Sequence, residues 1–311
     1  MRLELLTDRE DRAMSERLAA FSARFTYPLG ADRRFRIDHP GPYLGHLASM
    51  GDPACLVALN GDRVIATLGL SARTLRIDGA VREAAYLCDL KIDPEVRGSS
   101  ALLRVLRRAR EWVAGRGLDA AFAVVMDGTE RTPDRYSGRL GLPALVSLGQ
   151  LSVLSIACPA FRDAPVGDDV SLEDALWSHE SLSGGGVLPV TADRGARSEH
   201  RPEAFTLGGG SAVLEDTRRA KRLWVVDGPE MGAAHLVAIS AAGANLGAVI
   251  AAGAARAAAA GFESLFVSLP IEWSPSTWCD QHATAVHRAT ATVYGWQLPE
   301  HRLWWVPSSE I

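Results

Sequence analysis

"LKIDPEVRGSSALLRVL", residues 90–106, decides how the rest of the chain is read. An extended apolar run ends at Asp93-Pro94, a short loop carries Arg97-Gly98, and an amphipathic helical pattern begins at once. A helix that starts directly after a strand leaves backbone N–H groups free at its first turn, and its dipole adds to their pull on an anion. Arg97 supplies a charge-assisted contact, and Gly98 lets a ligand come close to the backbone. Ser100 adds an N–H and a hydroxyl. Strand–loop–helix units of this kind are common and many bind nothing, so the context has to carry the argument.

Upstream, 2–5 reads as a short strand. Residues 11–25 read as a helix with Met14, Leu18 and Phe21 on one face, and 43–50 as a short helix after the breaker "HPGP". Three extended runs follow, 54–59, 64–77 and 82–92, divided by the hairpin signals Asn60-Gly61-Asp62 and Asp78-Gly79. Downstream come a helix over 102–117 with Gly117 as its C-cap, an apolar strand over 118–126, a weak helix over 132–140 and a β-like run over 145–156.

Composition shifts at 159–169, which is rich in Pro and Asp and reads as a linker. It divides the chain into domains 1–164 and 165–311. The second half offers a helix over 171–181, a loop region over 184–202, and an extended run over 205–214 interrupted by "GGG". Strands over 222–226 and 235–240 follow, then an Ala-rich helix over 245–261 and a strand over 263–269. A helix opens at Ser274-Pro275 with Ser as its cap, and the last strand is at 302–306. "WVAGRGLDAAFAVVM" (112–126) matches "AAAAGFESLFVSLP" (257–270), with Gly117 answering to Gly261 and Phe122 to Phe266 at one common offset. The order of elements matches as well, which points to an internal duplication.

The whole chain sets bounds. It has 311 residues, is 47% hydrophobic and 23% charged, and carries a formal net charge of -4. With no long basic run, nucleic acid is disfavoured as a partner. Four scattered cysteines without a CxxC pair fit neither a zinc knuckle nor a disulfide framework, and suit a reducing compartment. The N-terminus has no apolar signal core, and the most apolar stretch, 233–260, is broken by glycines. The expectation is a cytoplasmic protein with no membrane partner.

Taken together, residues 1–158 resemble the GNAT superfamily of N-acyltransferases. The resemblance rests on "LKIDPEVRGSSALLRVL", on "GRGLDAAFAVV" (115–125), and on "RLGL" (139–142), which is similar to the family's late "LGF". It implies an α/β (α+β) fold of tandem GNAT-like mixed sheets flanked by helices, with a degenerate second unit in the C-terminal half. It also implies acyl transfer from acetyl-CoA or another acyl-CoA to an amine of a small molecule or peptide, with an acyl carrier protein thioester as the alternative donor. A non-catalytic ligand-binding or interaction module is the rival from another class. Arg97, Gly98, Ser99 and Ser100 would hold the donor's phosphates, and backbone groups of Leu90, Lys91 and Ile92 would stabilise the tetrahedral intermediate. The match departs at two places: Ser100 and Leu102 stand where the family has small glycine-type residues.

By the same resemblance the leaving-group acid is a Tyr before "LGF". Tyr136 lies one residue further from Gly141 than the usual spacing, and Ser137 holds the usual place. Asp89 is the candidate base, because an acid inside an apolar strand needs a reason to be there. Its plainer reading is an ion pair with Lys91 or Arg97. Cys88 reads as a small buried residue. Tyr43 would contact the acceptor. His282 and His287 read as surface or capping residues, so no metal is expected. The tryptophans at 273, 278, 296, 304 and 305 read as core or as an aromatic wall. At the offset of the repeat, Ala241 stands where Arg97 would, so the second half lacks the cation and would wall the acceptor cleft or brace the first domain.

Overall fold

Asp78 and Gly79, at φ +48° and +81°, make the mirror-image turn that suits the twist of paired strands, and they fold two long strands back on each other. That hairpin sits inside a much larger sheet. The structure, a computed structural model, describes residues 1–8, 11–29 and 33–311.

The first half runs β1 (Arg2–Leu6), α1 (Arg12–Ser22), β2 (Tyr27–Leu29), β3 (Arg33–Asp38), α2 (Leu44–Ala48), β4 (Asp52–Asn60), β5 (Arg63–Ile77), β6 (Ala80–Ile92), α3 (Ala101–Gly115), β7 (Ala121–Met126), α4 (Pro133–Tyr136) and β8 (Val146–Ala157). The second runs β9 (Asp168–Asp169), α5 (Leu172–Leu182), β10 (Val187–Pro189), α6 (Arg194–Arg197), β11 (Glu203–Leu207), β12 (Gly210–Glu215), β13 (Arg222–Val225), β14 (Ala233–Ser240), α7 (Ala244–Ala259), β15 (Ser264–Pro270), α8 (Ser276–Gln281) and β16 (Val286–Trp296).

The strands form one continuous mixed sheet in the order β1-β4-β5-β6-β7-β16-β8-β15-β14-β12-β11-β9, with β10 added on β5. The two halves exchange strands at its centre. β16, from the end of the chain, pairs antiparallel with β7 on one edge and with β8 on the other. β8, from the first half, lies between β16 and β15. A second, three-stranded sheet joins β13 to β3 and β2, again across the halves.

Helix periodicity places the core. Asp11 caps α1 by accepting from the Met14 N–H at 2.9 Å, and Met14, Leu18 and Phe21 face inward. α3 buries Val105, Leu106, Ala109 and Trp112 against Leu56, Leu68 and Leu70 of the sheet. α7 does the same in the second half with Val249, Ile250 and Ala254 against Leu236 and Val267. The apolar stretch 233–260 is therefore a buried strand and helix, and among the described residues no helix is long and apolar enough to cross a membrane.

Several expectations change. The helix expected from Ser274 is only α8, with Pro275 rather than Ser274 at its N-cap, and β16 follows where no strand was foreseen. The run 205–214 is the hairpin β11–β12, turned at Gly208 and Gly209 (φ +59° and +82°). The loop region 184–202 holds β10 and α6. The strand expected at 302–306 is a single bridge, Val187 to Trp304. β2 and β3 were not foreseen either.

A largely buried ion network locks the halves together. Arg73 of β5 meets Glu310 at 2.7 Å, Arg197 meets Glu310 at 3.1 Å and also holds Glu215, and Arg194 reaches Glu215 at 3.0 Å. Tyr86 of β6 donates to the Glu310 carbonyl at 2.8 Å.

Candidate active site

β6 and β7 are parallel neighbours that part company early. Their register covers only Ala85–Ala121 and Tyr86–Phe122, while β6 runs on to Ile92 and β7 to Met126. A wedge opens between them, and the β6 edge beyond Tyr86 has no β7 partner.

A bulge shapes that edge. The β5–β6 register passes from Gly69–Cys88 to Thr67–Lys91, so Asp89 and Leu90 together oppose Leu68 alone. Asp89 takes φ +50° to make the extra step. The insertion shifts the alternation: Leu87, Leu90 and Ile92 all pack on the α3 side, whereas Tyr86 and Cys88 belong to the opposite core.

On that opposite side Asp89 is bonded by the Lys91 ammonium and by the Tyr43 hydroxyl. Burial alone would raise the Asp89 pKa. The Lys91 charge, then His39, and the two hydrogen bonds outweigh it and hold the carboxyl down at about 2. The Lys91 ammonium is itself buried, and Asp89 more than offsets the desolvation, so its pKa lies above the ordinary value. Burial and the nearby Asp89 push the Cys88 thiol well up, which leaves it inert as a nucleophile at neutral pH.

The other end of the wedge is the loop before α3. Asp93, buried, is gripped by Arg24 at 2.9 Å and Arg63 at 2.5 Å and accepts from the Glu95 N–H at 3.0 Å, which fixes the turn. Hydrogen bonding by Arg24 leads the causes that bring its pKa to about 2. Gly98 takes φ +87°, and a side chain there would meet nothing within 4 Å. Ser99 Oγ accepts from the Ala101 N–H at 3.2 Å, and Ser100 sits at the N-cap without a side-chain bond. The amides of Gly98, Ser100, Leu102 and Leu103 have no acceptor among the described residues. The Arg97 guanidinium is exposed and likewise unpartnered, and Leu102 is half-buried against the α3 core.

Tyr136 ends α4, half-buried beside α3. Its hydroxyl has no hydrogen-bond partner among the described residues, and burial, with Tyr294 and Asp134, raises its pKa. Ser137 is committed elsewhere, accepting from the Leu145 N–H at 2.9 Å. Tyr136 and Asp89 share no contact, so the two candidate proton carriers are not brought together directly.

Residues that the sequence reading passed over surround Asp89 on the Tyr43 side. The His39 ring stands 4.9 Å from that of Tyr43 and its Nδ1 lies 3.0 Å from the Ala220 carbonyl. Lys221 is buried, bonded to the Ile311 carbonyl at 2.9 Å, and held down at about 8 by burial and by Arg197. His46 and His235 lie within the field of Lys221, both depressed chiefly by burial. One signal was available: the chain has two lysines, Lys91 and Lys221, and both are interior. His282 caps α8, His287 lies on β16, and no group of His, Cys, Asp or Glu among the described residues is arranged to hold a metal.

The second half repeats the geometry. Ala238 takes φ +50°, Ala238 and Ile239 oppose Ala212 alone, and β14 leaves β15 after Leu236–Val267. Here the segment after β16 enters the wedge and leaves a small cavity in it. Val306 and Pro307 line it beside Ala238 and Leu269, and Ser308 donates to the Phe266 carbonyl at 3.1 Å. Gly117 and Gly261, paired in the sequence repeat, take φ +69° and +86° after α3 and α7.

No family model and no curated protein matches the sequence. Solved structures do. Saccharomyces cerevisiae N-myristoyltransferase with bound myristoyl-CoA aligns over 94% of this chain and 82% of its own, at 9% identity and a TM-score of 0.63. A second structure of that enzyme with myristoyl-CoA covers 98% of this chain and 81% of its own, at 10% identity and a TM-score of 0.64. A conserved Enterococcus faecalis V583 protein, described as a "Probable N-Acyltransferase", covers 95% and 72% at 9% identity and a TM-score of 0.51. Diverging parallel strands, a bulge at the point of divergence and their repetition in both halves agree with this likeness: the chain has a tandem GNAT-like fold.

Proposed function

We propose that the protein is an N-acyltransferase. It moves an acyl group from a phosphopantetheine thioester, acyl-CoA in the first instance, to an amine of a small molecule or peptide. Residues 1–164 carry the reaction and 165–311 brace it. The observation that carries this reading is the parting of β6 from β7 after Tyr86, with a bulge at Asp89 on one side and unpartnered amides at the start of α3 on the other. An extended thioester arm fits such a wedge, and its phosphates fit the helix N-terminus. The likeness to an enzyme solved with myristoyl-CoA supports the donor class. Four free cysteines support a cytoplasmic setting.

In this reading Arg97, Gly98, Ser99 and Ser100 hold the pyrophosphate. Backbone groups of Leu90, Lys91 and Ile92 face the thioester, and an N–H there stabilises the oxyanion. Asp89 holds the acceptor in competition with Lys91, and the acceptor attacks as the neutral amine after losing its ammonium proton to solvent. As the C–N bond forms the nitrogen becomes a strong acid, so a weakly basic carboxylate suffices to take its proton. Tyr136 protonates the departing thiolate. Tyr43 and His39 line the acceptor side. The scheme requires no metal, because every step is a proton transfer or an attack at the carbonyl carbon.

The test is calorimetric binding of acyl-CoAs of several chain lengths, followed by thiol release with an amine panel. Binding with thiol release supports the enzyme. Binding without release favours the non-catalytic module, to which the glycine substitutions at Ser100 and Leu102 would then belong. Arg97→Ala removes one charge-assisted contact, about 1.5–3 kcal/mol, so donor affinity should fall roughly 10- to 150-fold. Unchanged affinity would reject the phosphate site.

A further inference from the structure

One face of the first half carries a positive charge that, Arg97 apart, the chemistry above does not use. α3 turns Arg104, Arg107 and Arg110 outward, in line with Arg97 before it, and all four are exposed. None meets a carboxylate among the described residues. Arg107 donates to the Leu140 carbonyl at 3.2 Å and Arg110 to the Gly141 carbonyl at 2.7 Å, which fastens the loop after α4 against the helix. Around α4, Arg131 before it, Arg135 within it and Arg139 after it are also exposed and without a carboxylate partner among the described residues. The acids nearby are Glu130, Asp134 and Glu111, the last already paired with Arg108. Several arginines elsewhere are matched, as Arg63 is with Asp93 and Glu95, and Arg222 with Glu199 and Glu230.

Leu140 lies between Arg107 and Arg139, 64% exposed at φ +53°. An exposed apolar side chain inside a rim of unpaired arginines has the layout of a protein interface, whereas a nucleic-acid backbone or a lipid headgroup would leave Leu140 without a role. The extent matters too. Arg104 to Arg110 span roughly 9 Å of α3 at about 1.5 Å per residue and reach past the first turn, which is all that a pyrophosphate engages. In a chain of net charge -4 the excess is local and calls for an acidic partner. The face begins at Arg97, so a partner seated on it stands at the mouth of the donor wedge.

We propose that this face docks an acidic protein that delivers the acyl group on its own phosphopantetheine arm, as a donor alongside acyl-CoA. The proposal rests on the acyl-transfer reading.

The test compares one acyl group on three donors: CoA, pantetheine alone, and an acyl carrier protein. The wild type is set against a variant with Arg104→Glu, Arg131→Glu and Arg135→Glu, whose side chains hold no other residue in place. The expected result is a loss of at least about 30-fold in kcat/KM for the carrier-borne donor, with the pantetheine donor unchanged. Leu140→Asp should repeat the pattern, and added salt should weaken the carrier arm alone. Equal loss on all three donors overturns the proposal, as does a wild type that uses the carrier no better than pantetheine. Tighter binding to RNA or to anionic vesicles than to the carrier also overturns it. If no donor supports transfer, the acyl-transfer reading has failed. Calorimetric titration with the loaded carrier then decides the docking face: binding weakened by the charge reversals upholds it, and no binding overturns it.

Discussion

Asp89 occupies a left-handed backbone conformation that most side chains avoid and that Asp and Asn tolerate. Asn keeps the conformation while removing the charge, so Asp89→Asn is the informative change. It should lower acyl transfer by about 100-fold or more. It also strands a buried ammonium on Lys91, at a cost of about 3 kcal/mol in urea unfolding. Adding Lys91→Met should recover the stability and leave the activity low; recovery of both would assign Asp89 to the fold alone. The pH dependence has a definite sign. Folding depresses the carboxyl to about 2, so its stabilisation, on the order of 2 kcal/mol, is present above about pH 4 and is lost as pH falls toward 2. The acid limb of the stability curve should flatten in Asp89→Asn. The carboxylate was legible as an acid inside an apolar strand. Its bulge was not, because a bulge is a property of two strands in register and Leu68 lies far away in sequence. The same holds for Tyr43, His39 and Lys221, which three separate elements bring to one place.

The elements divide by how locally they are specified. α1, α3 and α7 and the hairpins β4–β5–β6 follow from periodicity and turn residues, and the structure has them within a few residues of the expected bounds. β16 was missed because the helical signal at Ser274-Pro275 was extended too far, and the β-branched Thr290, Thr292 and Val293 beyond it went unread. This is the strand whose neighbours come from the other half, so nothing close in sequence announces its pairing. Gly295 shows how tightly it is held. A Cβ there would lie 2.9 Å from the Ala121 carbonyl oxygen of β7 and would collide with Leu148 Cδ1 of β8. Gly295→Val should therefore cost about 1–3 kcal/mol, read as a lower urea midpoint at unchanged slope. A neutral result would mean that the β7–β16–β8 seam is looser than its register implies.

At the scale of the whole molecule the two halves are not separable beads. They share the β8–β16 pair, the β13–β3 ladder and the buried Arg73–Glu310–Arg197–Glu215 network. Burial would raise the Glu310 pKa, but Arg73 and Arg197 prevail and hold it at about 2. Glu310→Gln leaves two buried guanidiniums short of charge and should cost about 3–5 kcal/mol. Tryptophan fluorescence should report a single unfolding transition, shifted as a whole; two transitions would mean that the halves melt apart. The sequence announced the duplication through matched glycines and phenylalanines, whereas the merging of both sheets depends on contacts between residues more than a hundred positions apart. The threaded order also bears on biosynthesis. A ribosome finishes β7 long before it reaches β16, and at about 5–20 residues per second the bare β7 edge waits on the order of ten seconds for its neighbour. Through that interval the nascent chain exposes a strand edge open to mispairing, and the sheet closes only after β16 has been made.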